Sequence, residues 1–125
     1  MSLRTEVFAA SLPADPGLLS EFRQQLAAWL EAAAVAPRAR DAILLAAHEA
    51  AANAIEHAAA PVTVVGRVEP DVILIEVTSA GRWAARPQQV SAERGRGIAL
   101  MKGLLSDVEI LAEEEQTIVR LRMIR

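Results

Sequence analysis

The sequence predicts a two-layer α/β (α+β) sandwich whose mixed, largely antiparallel sheet carries its helices on one face. Three observations lead to that class. Apolar residues recur at helical spacing through the N-terminal half. From residue 62 the pattern changes to runs rich in β-branched residues. The strand candidates are then joined in pairs by turns too short for a crossover, so the pairs are antiparallel and a repeating strand–helix–strand chain is excluded.

In chain order, Leu3 to Leu12 carries Val7, Phe8 and Ala9 and stops at Pro13, which suits a first strand. Asp15-Pro16 reads as a helix start: the carboxylate accepts from orphan N–H groups, and proline lacks an N–H that would be unpaired anyway. Leu18, Leu19, Phe22, Leu26, Trp29 and Leu30 then mark one apolar helix face, with Trp29 in the core. Pro37 opens a second helix running to about Ala59, with Asp41 in its first turn where the helix dipole favours an anion. Val62–Val68 and Val72–Thr78 form a hairpin around Glu69-Pro70-Asp71. The near-continuous Val72-Ile73-Leu74-Ile75 suits a central strand. Ala80 to Arg94 keeps no period and reads as a mobile loop. Gly95-Arg96-Gly97 leads into a short helix with Ile98, Met101, Leu104 and Leu105. Strands at about Val108–Ala112 and Thr117–Ile124 flank an acidic turn that begins at Glu113.

The bulk numbers narrow the function. At 125 residues the chain suits one domain over 1–125. Its hydrophobic fraction is 53% but its aromatic fraction only 3%, so aliphatic residues and alanine must fill the core. A formal net charge of -3 offers no broad attraction to nucleic acid or to an anionic membrane. No cysteine is present, which excludes disulfides and thiolate metal sites and fits a cytoplasmic location. No apolar run is long enough for a membrane span, and no secretory pattern opens the chain.

Three short features suit chemistry. Glu49, Asn53 and His57 are spaced four apart, slightly more than one turn, and project from nearly the same helix face. Taken alone, that row reads as a solvated face; the flanking Ala50, Ala51, Ala52 and Ala54 keep the helix slim, so a ligand or another element can come close. Gly95-Arg96-Gly97 stands at a loop-to-helix junction, where glycines let backbone approach a ligand and free N–H groups suit phosphate oxygens. Ser79-Ala80-Gly81 ends the expected central strand.

Together, in this order and spacing, these features resemble the Bergerat nucleotide-binding fold of gyrase-type ATPases and histidine kinases. The run Gly-Arg-Gly-Ile-Ala-Leu-Met from Gly95 looks most like the serine/threonine protein kinases that act as anti-sigma factors. The resemblance implies a single histidine-kinase-like ATPase domain that binds ATP and Mg²⁺. Glu49 would be the catalytic base toward an attacking hydroxyl, and Asn53 the Mg²⁺ ligand. His57 lies near that site in relatives, although helix packing explains it equally well. Gly95 and Gly97 would cradle phosphates, with Arg94 or Arg96 adding charge. The partners implied are a sigma factor, sequestered, and an antagonist protein, phosphorylated on serine, with transcription regulated as a result. A homodimer is also implied; nucleic acid is not contacted directly.

One position departs from the pattern. Relatives carry an aspartate, accepting from the adenine amino group, where this chain has Ser79; Gly81 is kept. A hydrogen bond to a charged group contributes about 1.5–3 kcal/mol, or roughly 10- to 100-fold in affinity. Weak nucleotide binding, lower selectivity for adenine, or loss of the nucleotide are the outcomes left open. The last would make the chain a non-catalytic protein-binding module on the same fold.

Overall fold

The computed structural model describes residues 6–13, 15–57, 61–81 and 103–125. The expected phosphate junction, Arg94 to Gly97, falls outside those residues. So do residues 3–5 of the expected first strand, 58 and 59 of the second helix, all of the expected loop beyond Gly81, and Ile98 to Lys102.

Strand β1 (Glu6–Leu12) is followed by a 3-10 turn at Pro16–Leu18 and helix α1 (Leu19–Ala32). Asp15 caps this entry as expected, its carboxylate accepting from the Gly17 N–H at 2.9 Å. Because that bond reaches only two residues ahead, the first turn closes tightly and the α-helix begins at Leu19. Leu19, Phe22, Leu26 and Leu30 form the buried stripe of α1. The helix ends on Ala34 in the left-handed region, φ 61°. There the Val35 N–H donates to the Leu30 carbonyl at 3.0 Å, closing the C-terminus in the six-to-one manner.

Helix α2 (Pro37–His57) follows. Its first turn contains no acidic residue, so Asp41 lies one position beyond the turn assigned to it; with Pro37 already helical, Asp41 is the fifth residue. Ile43 is buried, and Ala46, Ala47, Ala50, Ala51 and Ala54 have no exposure at all. The alanines thus bring the helix backbone close to its neighbours within the protein.

Strands β2 (Val62–Val68), β3 (Val72–Ala80), β4 (Asp107–Ala112) and β5 (Gln116–Ile124) complete a five-stranded sheet in the order β1-β2-β3-β5-β4. All four ladders between the described strands are antiparallel. The mixed pairing expected from the sequence is therefore not seen among the described residues. Its physical reason is the placing of β4: the long connection from β3 carries it beyond β5, so β3 and β4 run the same way without pairing.

Alternation then sets the two faces. Val62, Val64, Val68, Ile73, Ile75, Val77, Val119 and Leu121 point under the helices and are buried. On the other face Glu76 and Arg120 lie directly opposite each other, with an Arg120 Nε–Glu76 Oε2 distance of 2.7 Å; Glu109 of β4 approaches the same guanidinium at 3.9 Å. Those carboxylates hold the Arg120 proton more firmly than usual, chiefly through the Glu76 hydrogen bond. Trp29 is half-buried over β1 and β2, its ring 5.4 Å from that of Phe8.

Candidate functional site

Three polar side chains are buried among the described residues: Asn53, Ser79 and Thr117. Two of them, Ser79 and Thr117, meet at one end of the sheet, and Asn53 lies towards the C-terminal end of α2. The last turns of α2 lead into β2, and β2 begins beside the end of β3, with Thr63 opposite Thr78. Ser79 faces Thr117 across the β3–β5 ladder. Only five residue steps separate His57 from Val62, a reach of at most about 18 Å. Asn53 lies one turn before the end of α2, the end that leads towards β2.

The flank of α2 is also settled. Ala52, Ile55 and Glu56 border an open groove of about 470 Å³ shared with Pro16 and Leu19 at the start of α1. Successive helical residues are set about 100° apart, so Asn53 points away from Ile55 but stands next to Glu56 around the helix. Glu56, three residues on, stands only about 60° from Asn53, so the groove borders the helix face that carries Glu49 and Asn53. Glu49 is half-buried on the same side of α2 as Asn53, four residues earlier. His57 is the last residue of α2.

Gly81 closes the sheet end that carries Ser79 and Thr117. Its φ of +83° lies in the left-handed region and a Cβ would meet nothing within 4 Å, so glycine serves backbone conformation here. The turn is tied twice: the Gly81 N–H donates to the Glu115 carbonyl at 2.8 Å, and the Thr117 Oγ1 donates to the Gly81 carbonyl at 2.9 Å. Of the residues singled out in the sequence, Ser79 and Gly81 lie together at the end of β3, and Glu49 and Asn53 lie one turn apart on α2. Arg94, Gly95, Arg96 and Gly97 lie outside the described residues.

Thr117 was not among the sequence candidates. Its signal was a polar residue in phase with the inward-facing Val119 and Leu121, visible once β5 is known to pair with β3.

Residues 12–123 match the sequence pattern of the family described as the histidine kinase-like ATPase domain. The chain belongs to that family. Its members' fold agrees with the architecture found here, and the family's ATPase character makes a nucleotide the ligand class to test against the site. In structure the chain is similar to one in the SiaB–SiaC complex from Pseudomonas aeruginosa, with a TM-score of 0.68 and 14% identity. That likeness covers 94% of this chain and 90% of the other, and it supports the fold. Among curated proteins no sequence match is found.

The buried polar side chains of this histidine kinase-like domain are chemically of the neutral kind that a nucleotide base meets. One amide and two hydroxyls, all uncharged, are buried, and the Thr117 hydroxyl is engaged by the exposed Gly81 peptide. Among the described residues no cluster of His, Asp or Glu could hold a metal ion unaided. Mg²⁺ held by Asn53 would complete its shell with phosphate oxygens and water, its usual habit. Also among the described residues, no helix is long and apolar enough to cross a membrane.

Proposed function

We propose that this chain is an ATP- and Mg²⁺-dependent protein-serine/threonine kinase of the anti-sigma type, which binds a sigma factor and phosphorylates an antagonist protein. What supports this reading is the set of buried polar side chains, Asn53 on α2 and Ser79 opposite Thr117 on the sheet, with Glu49 one helical turn from Asn53. Membership of the histidine kinase-like ATPase family supports the nucleotide.

ATP would supply the phosphoryl group transferred. Asn53 offers a neutral oxygen ligand for Mg²⁺, which favours oxygen donors. Ser79, Thr117 and Gly81 hold the base. Glu49, half-exposed and a carboxylate, accepts the proton of the incoming serine hydroxyl and orients that oxygen. His57 flanks the same end. Gly95 and Gly97 present backbone N–H groups to the phosphates, and Arg94 and Arg96 offset their charge. The domain acts within the cytoplasm, as a homodimer, and by binding proteins instead of DNA.

The test is transfer of phosphate from Mg-ATP to a candidate antagonist, with Glu49→Ala beside the native chain. General-base assistance contributes typically 10²- to 10⁴-fold, so transfer to serine should fall by at least about 100-fold. Transfer unchanged by Glu49→Ala would remove the proposed base. A second reading, a non-catalytic binding module, is favoured by Ser79 at the position where relatives carry a carboxylate. Partner binding without any heat from millimolar Mg-ATP in calorimetry would establish that reading instead.

A further inference from the structure

We infer that β1 is the edge through which two copies of this chain join, each β1 pairing antiparallel with the other about a two-fold axis at Ala9. The inference rests on the homodimer proposed above and names the surface that forms it.

Strand β1 (Glu6–Leu12) stands first in the sheet order, and among the described residues it pairs on one side only, with β2. The unpaired side of an edge strand is a row of N–H and C=O groups ready to take another strand, and folded proteins blunt such edges with charge, proline or a bulge. β1 carries none of these from Val7 to Leu12. Its seven residues run in unbroken register from Glu6 opposite Val68 to Leu12 opposite Val62, and within Val7 to Leu12 there is neither a charged residue nor a proline. The other edge is guarded. On β4, Asp107 and Glu109 are exposed and two residues apart, so they share one face and set negative charge along that strand.

The pattern along β1 selects a second copy as the occupant. Antiparallel self-pairing centred on Ala9 sets Val7 against Ser11, Phe8 against Ala10 and Glu6 against Leu12, with Ala9 opposite itself. That centre gives every residue of the strand an opposite, and no like charges meet. It also preserves the two faces. Val7, Ala9 and Ser11 are exposed, while Phe8, Ala10 and Leu12 belong to the core side, so the two five-stranded sheets join with each face continuous. Val7, 57% exposed in the single chain, gains neighbours in the process. With a formal net charge of -3 the copies repel each other in general, and this uncharged edge is where they can approach. Helix α1 lies above β1, its Phe22 and Trp29 rings 6.4 and 5.4 Å from that of Phe8. The two α1 helices therefore come together across the axis and widen the contact.

The experiment is sedimentation of the full chain over a range of concentrations, beside Ala9→Lys, Ala9→Glu and an equimolar mixture of the two. Ala9 is exposed, so its side chain can be charged without entering the core. The native chain should dimerise. Each variant alone opposes like charges at the axis and should raise the dimer dissociation constant about fivefold; the mixture, which opposes Lys to Glu, should recover the native value. Should circular dichroism show that a charge at position 9 unfolds the protein, Ala9→Cys decides. The native chain has no cysteine, and a short bis-maleimide should join two Ala9→Cys copies far more readily than two Glu109→Cys copies. A native dimer that is indifferent to both charges, or whose Ala9→Cys chains are joined no better than its Glu109→Cys chains, overturns the inference and leaves the homodimer standing. A native chain that stays monomeric at millimolar concentration overturns both, and leaves this edge to a strand of another protein.

Discussion

Gly66 offers the sharpest test of the packing that supports this domain. It lies on β2 between Phe8 of β1 and Ile75 of β3, on the helix-covered face. A Cβ placed there would stand 3.0 Å from Ile75 Cδ1 and 3.0 Å from both Cη2 and Cζ3 of Trp29. Neither neighbour yields readily: Ile75 is 1% exposed, and the Trp29 ring is held against Phe8 at a centroid distance of 5.4 Å. Overpacking of this kind costs about 1–3 kcal/mol. Replacing glycine recovers about 0.4–1 kcal/mol by restricting the unfolded chain. Gly66→Ala should therefore lose about 1–2 kcal/mol. For a domain of this size each kcal/mol shifts Tm by roughly 3–5 °C, giving a fall of roughly 3–10 °C. The assay is thermal and urea unfolding followed by circular dichroism, run as a double-mutant cycle with Trp29→Phe, which removes the crowding ring. Trp29→Phe should cost less in the Gly66→Ala background than alone, with a coupling of about 1 kcal/mol. Gly66→Ala as stable as the native chain, or additive with Trp29→Phe, would refute the seating of Trp29 on this glycine.

Two other perturbations follow from the helices. Ala34 holds φ 61°, a conformation costing a non-glycine residue about 1–2 kcal/mol. After the entropy glycine adds to the unfolded chain, Ala34→Gly should gain about 0.5–1 kcal/mol in urea unfolding; a loss would show that the α1 C-terminus is not strained. His48 is held below the ordinary imidazole range by burial first, then by Arg23, with Glu49 opposing. The unfolded chain then binds the extra proton, so stability is full above the ordinary value, about 6.5, and declines as pH falls through it toward the lower folded value. Urea midpoints compared at pH 7.5 and pH 5.5 should show a smaller loss for His48→Gln than for the native chain. Equal losses would assign that pH dependence to other groups.

The fold was legible where one local pattern decided each element. The stripe from Leu19 to Leu30, the hairpin around Glu69-Pro70-Asp71 and the cap at Asp15 each depend on residues a few positions apart. Strand order was less accessible, because β5 inserts between β3 and β4 through a pairing of residues 36 or more apart, such as Ser79 with Thr117 and Ala80 with Gln116. That same pairing hid Thr117: on its own it is a threonine at the start of a strand, and only the ladder places it against Ser79. The alanines around Asn53 illustrate the reverse case. Their small size is plain in the sequence, but whether they admit a ligand or another element depends on what faces them, and Ala50, Ala51 and Ala54 face protein.

The polar end also runs against what stability alone would choose. Position 79 continues the inward row of Ile73, Ile75 and Val77, and position 117 begins that of Val119 and Leu121. Valine at either place would add apolar burial at about 25 cal/mol per Å² and spare the desolvation of a hydroxyl, about 1–3 kcal/mol when imperfectly paired. Asn53 repeats the choice on a helix whose other buried residues are apolar. One such residue is ordinary in a folded domain. Polar residues on three separate elements, two of them opposed beside a glycine held in a left-handed turn, place hydrogen-bonding groups where the core gains least from them. Such a distribution is what a ligand with polar edges would require, and not what packing alone would select.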